Sequence, residues 1–200
     1  MLPNPLEELQ KAFEKFPGIG PRQASRFIFF LMKQPQDLDQ TVQALVGLKN
    51  NVGLCKECYL PANLGEACYI CLDKKRDRST IYIVEKESDA INMENVGKFS
   101  GIYFVLGENI SPIQESQMAK TRAKEIIRRI KKDPDKKEVI LALNNTREGN
   151  FTALYVEELF KENIESSKIK LTRLGRGLST GSELEYSDEE TLRNAFENRR

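Results

Sequence analysis

Residues 81–90 read Ile-Tyr-Ile-Val-Glu-Lys-Glu-Ser-Asp-Ala, four consecutive β-formers that run straight into a carboxylate. A short apolar run of this composition predicts a buried strand over 81–84. The pattern returns at Ile102-Tyr-Phe-Val-Leu106, at Val139-Ile-Leu-Ala-Leu143 and at Ile169-Lys-Leu-Thr-Arg-Leu174. Between these runs the period changes. Residues 119–132 place Ala119, Ala123, Ile126, Ile127 and Ile130 on one helical face, and 150–161 read as a further helix. Strands alternating with helices predict a parallel α/β sheet. Glu85 then stands at the carboxyl edge of its strand, where open α/β sheets place their sites; its other reading is a solvated turn residue. The matching edge of the later strand reads Leu143-Asn-Asn-Thr-Arg-Glu148-Gly.

Upstream of the sheet, Cys55-x2-Cys58-x9-Cys68-x2-Cys71 sets two CxxC pairs within seventeen residues. Each pair can grip one side of a tetrahedral ion, and four thiolates suit a structural Zn2+ with no coordination position left open for catalysis. A redox CxxC and two small disulfides are the other readings. A redox pair, however, normally opens a helix after a strand, and only a helical module precedes these cysteines.

In that module Asn4 is expected to cap a helix, with Pro5 at its first position and Glu7 at capping-box spacing. Leu6, Leu9, Phe13 and Phe16 recur with helical period until Pro17-Gly-Ile-Gly-Pro21 ends the run. A second helix starting on Pro21 is expected to bury Ala24, Phe27, Ile28 and Leu31. A third, over about 38–49, is expected to bury Leu38, Val42, Leu45 and Val46. Residues 16–24 have the layout of a helix-hairpin-helix motif. Gly18 and Gly20 allow a tight turn that leaves amide N–H groups facing outward at a helix start, where phosphate binds. Arg22 and Arg26 share a face of the second helix and would flank that phosphate. Contacts of this kind grip the DNA backbone rather than read bases. A glycine- and proline-rich hairpin without ligand is the other reading.

The chain has 200 residues and no histidine, which removes Ser-His-Asp and Cys-His nucleophiles, HExxH helices and His-bound metals. Its 31 basic and 30 acidic residues leave a net charge of +1, but the charges are segregated. Residues 11–33 carry five bases against one acid (+4), and 119–137 carry nine against three (+6). Residues 79–118 and 138–165 each carry two bases against six acids (−4). Such blocks suggest polyanion-facing surfaces beside acidic ones; a solvated helix face is the other reading of 119–137. No apolar run has the length of a membrane span, and the N-terminus lacks a basic-then-apolar signal. The expectation is a chain without membrane or secretory segments, in a reducing compartment where cysteines serve as ligands or thiols.

Glu85 and the later Asn144-x-Thr146 resemble the metal-binding positions of the Toprim domain shared by topoisomerases, primases and some nucleases. Catalytic members hold magnesium with a Glu and an Asp-x-Asp. Here Asn144 and Thr146 replace both aspartates, and neutral oxygens hold a hard divalent ion less well. A nuclease or phosphotransferase is therefore the weaker reading, as is a zinc-bearing adaptor without DNA contact. Five stretches taken in order resemble the RecR family of bacterial recombination mediators across essentially all 200 residues. They are FPGIGPRQASRF (16–27), YIVEKESDA (82–90), VLGENISPIQ (105–114), ILALNNTREGNFTALY (140–155) and TRLGRGLSTGSELEYSDEETL (172–192).

The resemblance implies a multidomain α+β chain with a helix-hairpin-helix module (1–53), a four-cysteine zinc finger (54–76), a Toprim α/β domain with a parallel sheet (77–175) and a C-terminal docking segment (176–200). It implies a non-enzymatic, ring-like homotetramer in the cytoplasm, associated with the nucleoid. Such a ring would bind single- and double-stranded DNA, act with RecO and RecF, and help load RecA at gaps and breaks. Carried over by motif, Gly18, Gly20, Arg22 and Arg26 would face DNA, while Glu85 and Glu148 would lie on the surface that meets RecO. Leu184, Tyr186, Leu192 and Phe196 of the tail have no obvious partner within one α/β domain and are expected to bury against another subunit. There is no GxxxxGK[ST] in the chain, so ATP hydrolysis is not supported.

Overall fold

A computed structural model describes residues 3–111, 113, 116–133, 135–164 and 169–199; Pro112 and Gln114 of the 105–114 stretch lie outside the described residues. The chain divides into two compact units, Met1–Val52 and Gly53–Arg200.

The first unit contains α1 (Asn4–Phe13), α2 (Pro21–Lys33) and α3 (Pro35–Asn51), each with a proline in its opening turn. Pro3, not Asn4, occupies the cap position of α1, and the Asn4 side chain instead donates to Glu8 at 3.0 Å. Phe13 joins α1 to α2 through an edge-on contact with Phe27, ring centroids 6.0 Å apart. Within α2 only Ala24 and Ile28 are buried, and α3 buries none of its residues. The helices lie where their period predicts, but among the described residues Phe27, Val42, Leu45 and Val46 are exposed rather than buried as expected. Three helices have too little surface to cover all their own apolar stripes.

At the boundary a two-stranded ribbon forms from β1 (Val52–Leu54) and β2 (Pro61–Asn63), followed by the single-turn α4 (Tyr69–Leu72). Then come β3 (Asp77–Val84), α5 (Glu87–Val96), β4 (Gly101–Val105), α6 (Gln117–Lys132), β5 (Glu138–Ala142), α7 (Arg147–Asn163) and β6 (Lys170–Arg173). A 3-10 turn (Leu184–Tyr186) and α8 (Glu189–Glu197) end the described chain. The expected parallel sheet is present, in the order β4-β3-β5-β6 with every pairing parallel. The connection reverses direction between β3 and β5, and the carboxyl ends of those two strands frame a crevice.

Side chains alternate across the sheet with the period of two that strands impose. On one face Ile81, Ile83, Phe104, Leu106, Val139 and Leu141 meet Ile126, Ile127 and Ile130 of α6 and Val156 and Phe160 of α7. On the other, Tyr82, Val84, Tyr103, Val105 and Ala142 meet Ala90 of α5 and the four cysteines with Leu60 and Ile70. Helix α5 has no periodic signal in sequence because it buries only Ala90. Its ends are set locally instead. The Asp89 carboxylate accepts the Lys86 N–H at 3.0 Å, and Gly97 closes the helix at φ +69°. No described helix is long and apolar enough to cross a membrane.

Candidate functional site

Three constellations carry chemistry. The first is the turn between α1 and α2. Gly18 takes φ +77°, a left-handed conformation that costs other residues about 1–2 kcal/mol. Gly20 precedes α2 with extended backbone, and its carbonyl accepts the Ala24 N–H at 3.0 Å. No side chain caps α2. Arg22 and Arg26 are exposed one turn apart, and neither forms an ion pair among the described residues. A helix start with outward N–H groups, flanked by two free guanidinium groups, suits a phosphate.

The second constellation is the cysteine quartet. Beyond β1 the chain turns so that Cys55 N–H donates to the Leu60 carbonyl at 2.8 Å and Tyr59 N–H to the Cys55 carbonyl at 2.9 Å. Tyr59 takes φ +65° in this turn. Cys68 precedes α4 and Cys71 lies within it. All four are buried and free of disulfides, and their sulfurs lie within 4.8 Å of one another. Cys58 and Cys68 approach to 3.4 Å. A disulfide needs about 2.05 Å. A tetrahedral zinc with Zn–S of about 2.3 Å spaces its sulfurs by about 3.8 Å, so the quartet fits a metal and not a disulfide pair. The hydrogen bond with Cys68 pushes the Cys58 thiol up, and the Cys68 sulfur, accepting, is pushed down. Four buried thiolates cannot ionise together without a cation among them, and an all-sulfur set selects a soft metal over magnesium or calcium. These cysteines form a metal-binding cluster.

A set of residues that sequence reasoning missed seats this module on the sheet. Val105 N–H donates to the Cys58 carbonyl at 2.9 Å. Arg129 donates to the carbonyls of Glu57 and Lys56, each at 2.9 Å, and pairs with Glu125. The Arg122 guanidinium lies 3.9 Å from the centroid of the Tyr59 ring, whose hydroxyl donates to Glu125. Nothing in the spacing between Tyr59 and α6 announces these contacts.

The third constellation is the crevice at the carboxyl ends of β3 and β5. Glu85 is 4% exposed. Asn144 Nδ2 donates to its Oε2 at 2.8 Å, and Lys86 Nζ lies 3.0 Å from its Oε1. Burial pushes the Glu85 carboxyl up, but the Asn144 and Lys86 donors outweigh it and hold the group below the ordinary carboxylate range. Where a second carboxylate would stand, Asn144 therefore supplies a donor. Thr146 is committed as the cap of α7, its Oγ1 accepting the Gly149 N–H at 3.1 Å. Gly149 is sterically fixed, because a Cβ there would overlap the Asn144 carbonyl oxygen. Glu148 is exposed in the first turn of α7, where a negative charge is favoured. The structure thus joins Glu85 to Asn144, buries Glu85 and leaves Glu148 on the rim. Among the described residues, the cysteines are the only cluster of three or more acidic or sulfur side chains arranged to hold a metal.

Comparison with known proteins finds the Toprim domain over residues 79–174 and the family described as RecR, C-terminal, over residues 177–200. The recombination protein RecR of Lactobacillus delbrueckii subsp. bulgaricus is 40% identical over 200 residues, 98% of this chain and 97% of its own length. That of Chloroflexus aurantiacus is 38% identical over 197 residues, 98% of this chain and 94% of its own. That of Staphylococcus saprophyticus is 41% identical over 197 residues, 97% and 96% of the two chains.

Proposed function

The chain belongs to the RecR family of recombination proteins, and from that premise we propose that it is a DNA-binding mediator of recombinational repair. The hairpin carries the reading: the left-handed Gly18 makes the turn, and the uncapped helix start with two exposed arginines that form no ion pair among the described residues suits a phosphate. Its four parts divide the work. Residues 1–53 hold DNA, 54–76 form a module stapled by one structural Zn2+ on Cys55, Cys58, Cys68 and Cys71, 77–175 present a Toprim surface, and 176–200 dock onto a neighbouring subunit.

The protein is a scaffold and not an enzyme. Two-metal phosphoryl transfer needs several carboxylates to hold its ions, and Asn144 and Thr146 engage the crevice as a hydrogen-bond donor and a helix cap. Glu148, exposed on the rim, meets RecO directly, while Glu85, being buried, shapes that surface from beneath. Acting with RecO and RecF in the nucleoid, a ring-like tetramer of this chain helps RecA occupy single-stranded DNA at gaps and breaks.

Salt-titrated DNA binding and light scattering on the Arg22→Ala, Arg26→Ala double variant test the reading. The expected result is at least about a tenfold loss of affinity, as for two lost charge-assisted phosphate contacts, at unchanged molecular mass. Affinity equal to that of the parent chain would remove the hairpin from the DNA interface.

A further inference from the structure

Helix α6 carries more positive charge than its packing uses. Ala119, Ala123, Ile126, Ile127 and Ile130 face the core. At 3.6 residues per turn, Lys120, Lys124, Arg128 and Lys131 fall within an arc of about 80° that borders this apolar stripe and turns away from it, with Lys120 half-buried and the other three exposed. Two other cations of the helix are committed: Arg122 to Tyr59 and the Val105 carbonyl, Arg129 to Glu125 and the carbonyls of Lys56 and Glu57. These four make no ion pair among the described residues, although the acid-rich α7 packs against α6.

Stability does not account for this stripe. Basic residues in the last turn offset the helix dipole, which explains Lys131. Lys120 and Lys124 lie in the first half of α6, toward the end where positive charge is disfavoured. Lys120, Lys124 and Arg128 also repel one another at successive i,i+4 spacings. Only a polyanion relieves both costs at once. The arc further lacks the aromatic or apolar anchors that the centre of a protein interface requires. Gln117 within the arc, and Thr121 and Lys132 just beyond it, are also exposed, and their polar groups suit phosphate oxygens. Successive charges rise by about 6 Å along a straight axis, close to twice the axial spacing of phosphates on one DNA strand, about 3.4 Å.

We propose that the outer face of α6 is a second DNA-backbone contact, borne by the sheet-containing unit and separate from the hairpin of the first. The proposal rests on the DNA-binding reading above. It assigns Lys120, Lys124 and Arg128 to phosphates and gives the chain two independent grips on one polyanion.

The test is a salt titration of the full-length chain between about 50 and 200 mM, with single-stranded and duplex oligonucleotides in separate arms. In the Lys120→Ala, Lys124→Ala, Arg128→Ala variant the slope of log affinity against log salt should fall by about two to three, and affinity at low salt by at least about tenfold. A Lys120→Arg, Lys124→Arg variant should keep the parent slope, which separates lost charge from lost fold. The Arg22→Ala, Arg26→Ala variant should retain weak binding that the triple substitution then abolishes. A triple variant with the parent slope and affinity in both arms overturns the α6 assignment and leaves the hairpin reading standing. No salt-dependent binding by the parent chain to either oligonucleotide overturns both.

Discussion

Glu85, itself buried, keeps its charge because Asn144, Lys86 and, more weakly, Asn109 donate to it. Its folded pKa lies below the ordinary carboxylate value, so its contribution to stability is present above that value and is lost as pH falls through the lowered one. Asn144→Asp would set a second carboxylate against the first and reverse this logic, raising the pKa of the pair. The variant should be less stable by about 1–2 kcal/mol near neutral pH, the loss shrinking in mild acid or on adding magnesium. Thermal melting at two pH values, with and without the ion, measures it; parent-like stability at neutral pH without metal would contradict the derivation. At this scale the sequence was partly legible. Glu85 and Asn144 each end a β-run, so their meeting follows from adjacent parallel strands. The partnership of Tyr59 with Arg122 and Glu125 does not, because only the fold brings that turn over α6.

At the scale of elements, the cysteine module and the sheet share more than a boundary. The Cys58 carbonyl that accepts from Val105 belongs to a residue of the cysteine cluster, so the hold on β4 is tied to the quartet. Chelation should therefore raise hydrogen exchange not only across 54–72 but also at the Val105 amide. Acid should do the same, since bound thiolates must be protonated to release the ion. Exchange at Val105 indifferent to chelator would disconnect the two. The long amphipathic α6 and the apolar runs of β3, β4 and β5 were legible because burial on one or both faces writes itself as period. Helix α5 was not, since one buried alanine makes no period and its limits come from Asp89 and Gly97. Strand β3 starts at Asp77 rather than Ile81, where polar residues hide it; there the Asp77 N–H reaches the Ser100 carbonyl at 2.8 Å.

At the scale of the whole molecule, two apolar surfaces have no cover among the described residues. Val42, Leu45, Val46 and Leu48 line α3, and Leu184, Tyr186 and Phe196 stand out from the tail, with Tyr186 81% exposed. Helical period identified the stripe on α3 but not where it is buried, because sequence does not distinguish burial within a chain from burial between copies. If these faces join copies, Leu45→Glu with Val46→Glu, and separately truncation after Gly181, should each lower the mass measured by light scattering. DNA affinity should fall with it by about two orders of magnitude, as linked contacts become separate ones. An unchanged mass in both variants would leave the faces for another partner. The sheet itself has two borders of different kinds. Strand β6 is four residues long and carries Lys170 and Arg173, which discourage pairing with a stranger. Strand β4 has no such charges, and at its end the cysteine module takes up the Val105 amide. Were that module to loosen, the Val105 amide would stand open to pairing with another chain, so the cysteine turn doubles as a guard on the sheet's more vulnerable border.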